Sequence, residues 1–323
     1  MDTFEIDKLK LYRGEPFEIA NGIEIHVPSL SEICEYGENN YYGMIHTLCA
    51  VGIDLCWQLE EIGIPYDKIS DYDLFREILS VKYTVDDTRI IFGNKLDLSK
   101  MKQYQNEDGS IYMVQNILVS IPLRSHPWIG DNIICNIPIE EEINIISHGK
   151  KYSKIKYKDK IGYVLNSFIA ETENQSYMIF QENDIEQLEG NYENIIIDEK
   201  IYLHIVSCLR SIHGLKRDDR IAGNNSCRMA FIEDAKMEYE ALKYEPKKSM
   251  LLQWISTLTN IEGFKRNDKT VWDMNIYAFM DSVKRIARIR NSSLLLQSGY
   301  SGFGIDLNKI KNKNELDYMG ELD

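Results

Sequence analysis

Histidine and cysteine are the residues of this chain best suited to metal binding or nucleophilic catalysis. The six histidines, at positions 26, 46, 126, 148, 204 and 213, form no set with serine, cysteine or aspartate that spacing can recognise, although a triad assembled only in space stays open. The six cysteines contain no CxxC pair. His46, Cys49 and Cys56 could surround a zinc ion, but they fall on one predicted helix without a second ligand pair at matched spacing. The spacing therefore predicts neither a metal site nor a cofactor.

Carboxylates are abundant, and none stands in a pattern typical of general acid–base catalysis. Asp71 with Asp73, and the run from Glu140 to Glu142, are typical of solvated surface faces. We therefore predict a protein that is not an enzyme and has no catalytic residues. A cryptic enzyme or metalloprotein is kept as an alternative, and it requires a pocket in which histidine and carboxylate groups meet.

Basic residues cluster in two segments that could attract phosphate or nucleic acid. Lys154, Lys156 and Lys158 alternate with Ser153, Ile155 and Tyr157, which predicts a half-buried strand whose lysines face solvent. The segment 284–290, KRIARIR, lies in the second half of a predicted helix, where positive charge complements the helix dipole. Few further bases lie nearby, so we predict no nucleic-acid partner. The glycine-rich segment 299–304 follows a helix and lacks the strand–loop–helix context of a phosphate loop.

Charge and length limit the classes of protein that this chain can belong to. Its 323 residues carry a net charge of −14, which argues against general nucleic-acid binding. Residues 1–100 hold 19 acidic and 9 basic side chains, residues 101–200 hold 16 and 9, and residues 201–323 hold 16 and 19. Opposite charge at the two ends suits docking between protein surfaces, or is only solvation. No uncharged run reaches the ~20 residues of a membrane helix, and residues 1–10 do not resemble a signal peptide.

Hydrophobic periodicity divides the chain into three predicted regions of an α+β fold. Residues 1–85 form a small α+β unit, residues 86–199 a β-rich domain and residues 200–323 a helical domain. In the first, we predict strand pieces from Leu9 to Val27, a helix capped by Ser29 and Glu32, a helix from Tyr41 to Leu59, and a short one over 71–79. The predicted strands of the second are 88–92, 111–121, 133–137, 143–147, 152–157, 161–165 and 177–180. The predicted helices of the third are 201–213, 225–244, 248–261 and 270–297.

One stretch of the β-rich region resembles a known small module. Residues 150–169, KKYSKIKYKDKIGYVLNSFI, resemble the second half of a bacterial SH3-type module, in which a K-x-K-Y strand leads through a tight turn into a G-Y-V strand. The resemblance implies a small barrel segment that binds peptide or cell-wall glycan. Here Lys158-Asp159 replaces the usual Asn-Gly turn, and the first half of the module is not evident upstream, so a purely structural barrel is the alternative.

Both ends of the chain resemble a family of uncharacterised proteins encoded by phages and prophages of low-GC Gram-positive bacteria. The resemblance rests on LKLYRGEPFEI from residue 9, PSLSEICEYGENNYYGMIHTL at 28–48, SDYDLF at 70–75, TVWDMNIYAFMDSVKRIARI from residue 270 and IDLNKIKNKNELDYMGEL from residue 305. It implies a role in virion morphogenesis, in the tail or baseplate, with other phage structural proteins as partners. It assigns no functional residues.

These observations predict a phage structural or assembly protein that acts as an oligomer through protein–protein contacts. It would work in the host cytoplasm during assembly, with the virion as a further location. Aromatic side chains are the usual anchors of such contacts, and the chain has 34 of them, 20 being tyrosine. The candidate interaction residues are Tyr152, Tyr157, Tyr163, Trp272, Tyr300 and Phe303. A recognition module that binds cell-wall or host peptide through the SH3-like segment is the alternative.

Overall fold

The computed structural model describes residues 6–20, 22–139, 141–171, 177–179, 191–244, 248–301, 304, 306–320 and 322. It has the predicted α+β fold, with small strands and helices at the N-terminus, a curled β-sheet half-barrel in the middle and helices at the C-terminus. The contacts divide the chain into two compact units. The first comprises Met1–Met113 and Ile197–Asp323, and the second is Val114–Ile196. No helix in the described ranges is both long enough and apolar enough to span a bilayer.

All ten α-helices of the described residues lie in the first unit. They are α1 Lys8–Arg13, α2 Leu30–Tyr36, α3 Glu38–Cys49, α4 Cys56–Glu61, α5 Asp71–Leu74, α6 Val85–Phe92, α7 Glu199–His213, α8 Asn225–Leu242, α9 Met250–Thr259 and α10 Ile276–Tyr300. Helix α5 continues to Leu79 in π geometry. Helix α7 is the most buried of the long helices, because Tyr202, Ile205 and Leu209 on its inner face pack among α3, α5 and α10.

The strands form a two-stranded hairpin and one larger sheet. They are β1 Phe17–Ala20, β2 Ile23–Ile25, β3 Lys102–Gln105, β4 Ile111–Arg124, β5 Ile133–Pro138, β6 Glu142–Ser147, β7 Tyr152–Tyr157, β8 Lys160–Leu165, β9 Ile169–Glu171, β10 Tyr177–Ile179 and β11 Asn191–Ile197. The larger sheet has the order β11-β4-β8-β7-β6-β10-β9, and β3 and β5 each pair with β4. Its concave face encloses the core of the second unit, which includes Ile121, Leu123, Ile137, Ile155 and Val164.

The two parts of the first unit are joined through backbone hydrogen bonds as well as side chains. Leu30 N donates to Met274 O at 2.9 Å, and Ile276 N donates to Pro28 O at 2.8 Å. These bonds flank a bridge between Ser29 and Asn275, the N-caps of α2 and α10. Residues 1–85 and 200–323, which we predicted as separate domains, therefore fall in one compact unit. The hydrophobic periodicity showed that each helix has a buried face, but it carries no information about which element covers that face.

Most of the predicted elements are present. Ser29 and Glu32 form a complete capping box, with Ser29 N donating to Glu32 Oε2 at 2.7 Å and Glu32 N to Ser29 Oγ at 3.2 Å. The helix predicted over 71–79 begins after its Ser70 cap. The predicted strands from 111 to 165 all occur, as do the four C-terminal helices. Asn21, in the predicted hairpin turn, and Phe180, at the end of the last predicted strand, lie outside the described residues.

Two segments that we predicted as strands are helices. Residues 9–12 lie in α1, because Asp7 accepts hydrogen bonds from Leu9 N at 2.9 Å and Lys10 N at 3.3 Å. Residues 88–92 lie in α6, which opens with a capping box between Thr84 and Asp87. In both segments a side-chain cap at the helix N-terminus stabilises the helix, and the β propensity of the following Tyr, Ile or Phe residues does not prevail.

The helix predicted from Tyr41 to Leu59 is interrupted. Helix α3 ends at Cys49, a 3₁₀ turn covers Gly52–Leu55 and α4 begins at Cys56. A Cβ atom on Gly52 would lie 2.2 Å from Tyr66 O, so the chain approaches another backbone segment closely at this position. The last helix begins at Ile276 rather than Thr270, because Asn275 is its cap, and it extends beyond Gln297 to Tyr300.

Candidate functional site

The loop between β4 and β5 presents an aromatic tip to solvent. The rings of His126 and Trp128 pack with their centroids 4.6 Å apart and their planes inclined by 31°. Trp128 is 55% exposed and its neighbour Ile129 is 59% exposed. Large apolar side chains that remain exposed together are typical of surfaces that contact a partner, and tryptophan is among the residues that contribute most to such contacts.

Buried and amide side chains hold this loop in one conformation. Arg124, at the end of β4 and only 4% exposed, donates through Nη1 to Gly130 O and to Asn132 Oδ1, both at 2.7 Å. Asn132 Nδ2 donates to Trp128 O at 3.0 Å and to His126 O at 3.2 Å. Ser125 N closes the loop by donating to Asn132 O at 2.8 Å. A loop that is already ordered loses less conformational entropy when it binds a partner.

The strand register continues this loop into the convex face of the sheet. Ile133 pairs with Arg124, Arg124 with Tyr163, and Tyr163 with Lys154. Residues that lie directly opposite each other on antiparallel strands share a face, so these four side chains form a row across the sheet. Ile161 and Lys156 are opposite one another in a second row, and Ile133 and Ile161 are each about half exposed. We call the set His126, Trp128, Ile129, Ile133, Lys154, Lys156, Ile161 and Tyr163 the aromatic–basic face.

The aromatic–basic face carries positive charge in a chain that is acidic overall. Residues 150–160 contain six lysines and a single acidic residue, Asp159. As predicted, Ser153, Ile155 and Tyr157 point into the core, while Lys154 and Lys156 point to the convex side. The Lys154 Nζ lies 6.0 Å from the centroid of the Tyr163 ring. Lysines beside aromatic and isoleucine side chains make this surface complementary to a partner with both apolar and acidic groups.

The structure describes five of the six predicted interaction residues, and they are divided between the two units. Tyr152 and Tyr163 are half-buried in the β unit, whereas Tyr157 is 7% exposed within its core and has almost no surface for a partner. In the other unit, Trp272 is half-buried with Nε1 donating to Asp268 O at 2.9 Å, and Tyr300 is 81% exposed at the end of α10. Phe303 lies outside the described residues. Only Tyr163 belongs to the aromatic–basic face.

Sequence reasoning did not find Trp128, the central residue of this face. The available signal was the segment SHPWIGDN at 125–132, in which a tryptophan lies between proline and glycine and between two predicted strands. An aromatic residue in a hairpin loop has no hydrophobic partner at strand spacing, so it is a candidate for contact with another molecule. Its exposure depends on the Arg124 and Asn132 hydrogen bonds, which spacing does not reveal.

Of the three residues considered for zinc binding, His46 is exposed, and only the two cysteines lie in the core of the first unit. Cys49 and Cys56 are buried, and burial raises the pKa of the Cys49 thiol to about 12. Cys56 Sγ donates to Phe231 O at 3.5 Å, and its pKa is also raised by burial. Thiols in such surroundings stay protonated, whereas metal binding requires the thiolate. Among the described residues no group of three or more histidine, cysteine or acidic side chains is placed to hold a metal ion.

His213 is a buried histidine whose ring is fully hydrogen-bonded. Nδ1 lies 2.7 Å from Leu209 O, which can only accept, so Nδ1 carries the proton. Nε2 therefore accepts from the hydroxyl of Tyr41, also at 2.7 Å. Burial lowers the pKa of His213 to about 4, and burial raises that of Tyr41 well above its ordinary value. The pair is neutral and has no access to substrate, so it stabilises the packing of α3 on α7.

The basic half of α10 binds the C-terminal segment of the same chain. Arg285 Nη1 donates to Gly320 O at 2.8 Å and to Tyr318 O at 3.0 Å. Arg288 donates to Asp317 O at 2.8 Å through Nε and to Asn314 O at 2.7 Å through Nη2. Two of the three arginines in the KRIARIR segment, which we considered for nucleic-acid contact, thus have backbone carbonyls as partners.

No family model, curated protein or solved structure matches this chain.

Proposed function

We propose that this chain is a non-enzymatic binding protein that contacts an acidic protein partner through the aromatic–basic face. The observation that carries the proposal is the exposed Trp128, held by the buried Arg124 and by Asn132 at the end of the half-barrel. An exposed tryptophan on an ordered loop has the two properties of an interface anchor, which are a large apolar area and little entropy to lose.

The basic residues of the face indicate the charge of the partner. Lys154 and Lys156 flank the aromatic row, and in an acidic chain their local positive potential raises the rate of encounter with acidic surfaces. The resemblance of the chain ends to phage and prophage proteins supports a setting in virion morphogenesis. We therefore propose another tail or baseplate protein as the partner, met in the host cytoplasm during assembly.

The binding test uses the full chain and the purified products of the genes that neighbour its own. We expect one acidic product to bind. The variant Trp128→Ala should weaken that binding by about 30-fold, because truncating a central aromatic anchor costs ~2 kcal/mol or more. Its melting temperature should match that of the parent, because the Trp128 ring is largely in solvent. The measurement is titration calorimetry at two salt concentrations.

Two further variants sharpen the binding test. Lys154→Glu combined with Lys156→Glu should weaken binding and reduce its dependence on salt. Tyr300→Ala is the matched control, because Tyr300 is a more exposed aromatic side chain in the other unit. Binding of Trp128→Ala at parental affinity, or equal losses in Trp128→Ala and Tyr300→Ala, would refute the assignment of the face.

A second candidate function is recognition of cell-wall glycan by the same half-barrel. The exposed Trp128 and His126 rings favour it, since aromatic faces also pack on sugar rings. Retention of the full chain on purified peptidoglycan, lost in Trp128→Ala and kept in the double lysine variant, would support this candidate. Release of the parent chain from peptidoglycan at low salt would exclude it.

A further inference from the structure

A cavity of about 460 Å³ lies between α7 and α10 in the first unit. Three cationic side chains line it, one from each of three elements: Arg210 from α7, Lys216 from the segment that follows, and Lys284 from α10. The hydroxyls of Ser207 and Ser211 complete its polar lining. None of the described residues lining this cavity has a carboxylate group.

The local backbone explains how these groups meet. Ser207 and Ser211 are one helical turn apart on α7, with Arg210 on the same side. Gly214 ends the helix with φ +64°, and a Cβ atom there would lie 3.4 Å from Lys284 Nζ. The Lys284 side chain therefore reaches the C-terminal end of α7. Leu215 N donates to Arg210 O at 2.9 Å, which turns the chain so that Lys216 follows at the cavity.

Arg210 is fixed in place with donors to spare. Its Nη2 donates to Cys49 O at 2.7 Å, which uses one of the five N–H groups of the guanidinium. The carboxylates of Asp71 and Asp219 pair with Arg217, which does not line the cavity. Arg217 Nε and Nη2 donate to the Asp71 carboxylate at 3.0 and 3.1 Å. Positively charged side chains that converge on one cavity attract an anionic ligand.

We infer that this cavity binds the phosphate group of a small phosphorylated molecule. A guanidinium, two ammonium groups and two hydroxyls are the donors that a tetrahedral oxyanion accepts from. A free phosphate ion would fill only part of 460 Å³, and Leu203 and Leu215 give the remainder of the cavity an apolar side. That side suits the organic part of a phosphate monoester. The inference does not depend on the proposed function, because the two sites lie in different units.

The test titrates the full chain with inorganic phosphate and with glycerol phosphate at constant ionic strength, by calorimetry. We expect saturable one-to-one binding, tighter for the ester. Equal affinity for the two probes would support the phosphate site and assign it to the free ion. Absence of saturable binding to either probe would overturn the inference.

Charge variants separate this site from general attraction of anions. Lys216→Glu should weaken phosphate binding by about tenfold or more, because an ammonium partner is replaced by a repelling carboxylate. Lys269→Glu makes the same change at an exposed lysine of the same unit that does not line the cavity, and it should leave affinity within about twofold. Both lysines are exposed, so both variants should fold. Equal weakening by the two variants would refute a defined site.

Discussion

His213 shows how a single residue links the fold to pH. Its Nδ1 donates to Leu209 O and its Nε2 accepts from Tyr41, so protonation of Nε2 would break the bond to Tyr41 and place a charge in the core. The ordinary pKa of 6.5 applies to the unfolded chain, whereas burial lowers the pKa in the fold to about 4. Between these two values, the unfolded state binds a proton that the folded state does not.

We therefore expect the free energy of unfolding to decrease as the pH falls below 6.5. The contribution of His213 is fully present above that pH, and about 3 kcal/mol of it should be lost by pH 4. Urea unfolding at intervals between pH 7.5 and pH 5 measures the slope in a range above the ordinary carboxylate pKa values. The variant His213→Gln should lose this slope, whatever its absolute stability.

His126→Gln serves as the control for this pH dependence. His126 is exposed on the β4–β5 loop, so its replacement should leave the slope unchanged. A parental slope that persists in His213→Gln would show that another group is responsible.

At the scale of elements, the crossing of β4 and β8 controls the position of the Arg124 loop. Gly162 lies on β8 beside the end of β4, and a Cβ atom there would lie 2.5 Å from Arg124 O and 2.8 Å from a side-chain carbon of Leu123. No other residue fits between these strands without a shift of the backbone. The curled sheet and the orientation of the loop thus depend on one glycine.

We expect Gly162→Ala to destabilise the β unit by about 2 kcal/mol, because the added methyl group overpacks the crossing. Denaturant unfolding, followed by far-ultraviolet circular dichroism, measures the change. Gly130→Ala is the matched control, because a Cβ atom there would meet only Trp128, at an ordinary 3.8 Å, and should change stability by less than about 0.5 kcal/mol. Equal stability of the two variants would contradict the close approach.

At the scale of the whole molecule, acidic residues of the N-terminal part form ion pairs with basic residues of the C-terminal part inside the first unit. Arg217 pairs with Asp71, Arg228 with Glu60 and Asp67, and Lys236 with Glu61. Helix α8, which has no buried residue, lies against α4 through these last pairs and through the contact of Tyr239 with Trp57. The acidic N-terminal part and the more basic C-terminal part thus bind each other in one chain.

This arrangement predicts which fragments fold. Residues 1–85 alone should be unfolded, because Tyr41 bonds His213 and the hydroxyl of Tyr72 donates to Ile197 O at 2.7 Å. A chain in which a short Gly-Ser linker replaces residues 114–196 should fold. The linker would join Met113 on β4 to Ile197 on β11, and these two strands are neighbours in the sheet. Circular dichroism and thermal melting measure both. A cooperative melt of the 1–85 fragment would support three separate domains instead.

The predictions that the sequence alone made correctly rest on interactions between near neighbours. The Ser29–Glu32 capping box joins residues three apart, and the alternation from Ser153 to Tyr157 reflects the two faces of a strand. Where we weighed only hydrophobic spacing, as at residues 88–92, the cap formed by Thr84 and Asp87 determined the element. Local hydrogen bonds and side-chain periodicity are encoded within a few residues, and so they can be found without a structure.

The tertiary structure alone decided which of these elements meet. Tyr41 and His213 are 172 residues apart, Asp71 and Arg217 are 146 apart, and the phosphate-binding cavity draws its cations from three separate segments. The exposure of Trp128 depends on hydrogen bonds from Arg124, and the sequence shows that this residue is charged but not that it is buried. Many arrangements satisfy the same helical and strand periodicities, and packing of the whole core selects among them, so the partners of a buried or charged side chain follow only from the folded chain.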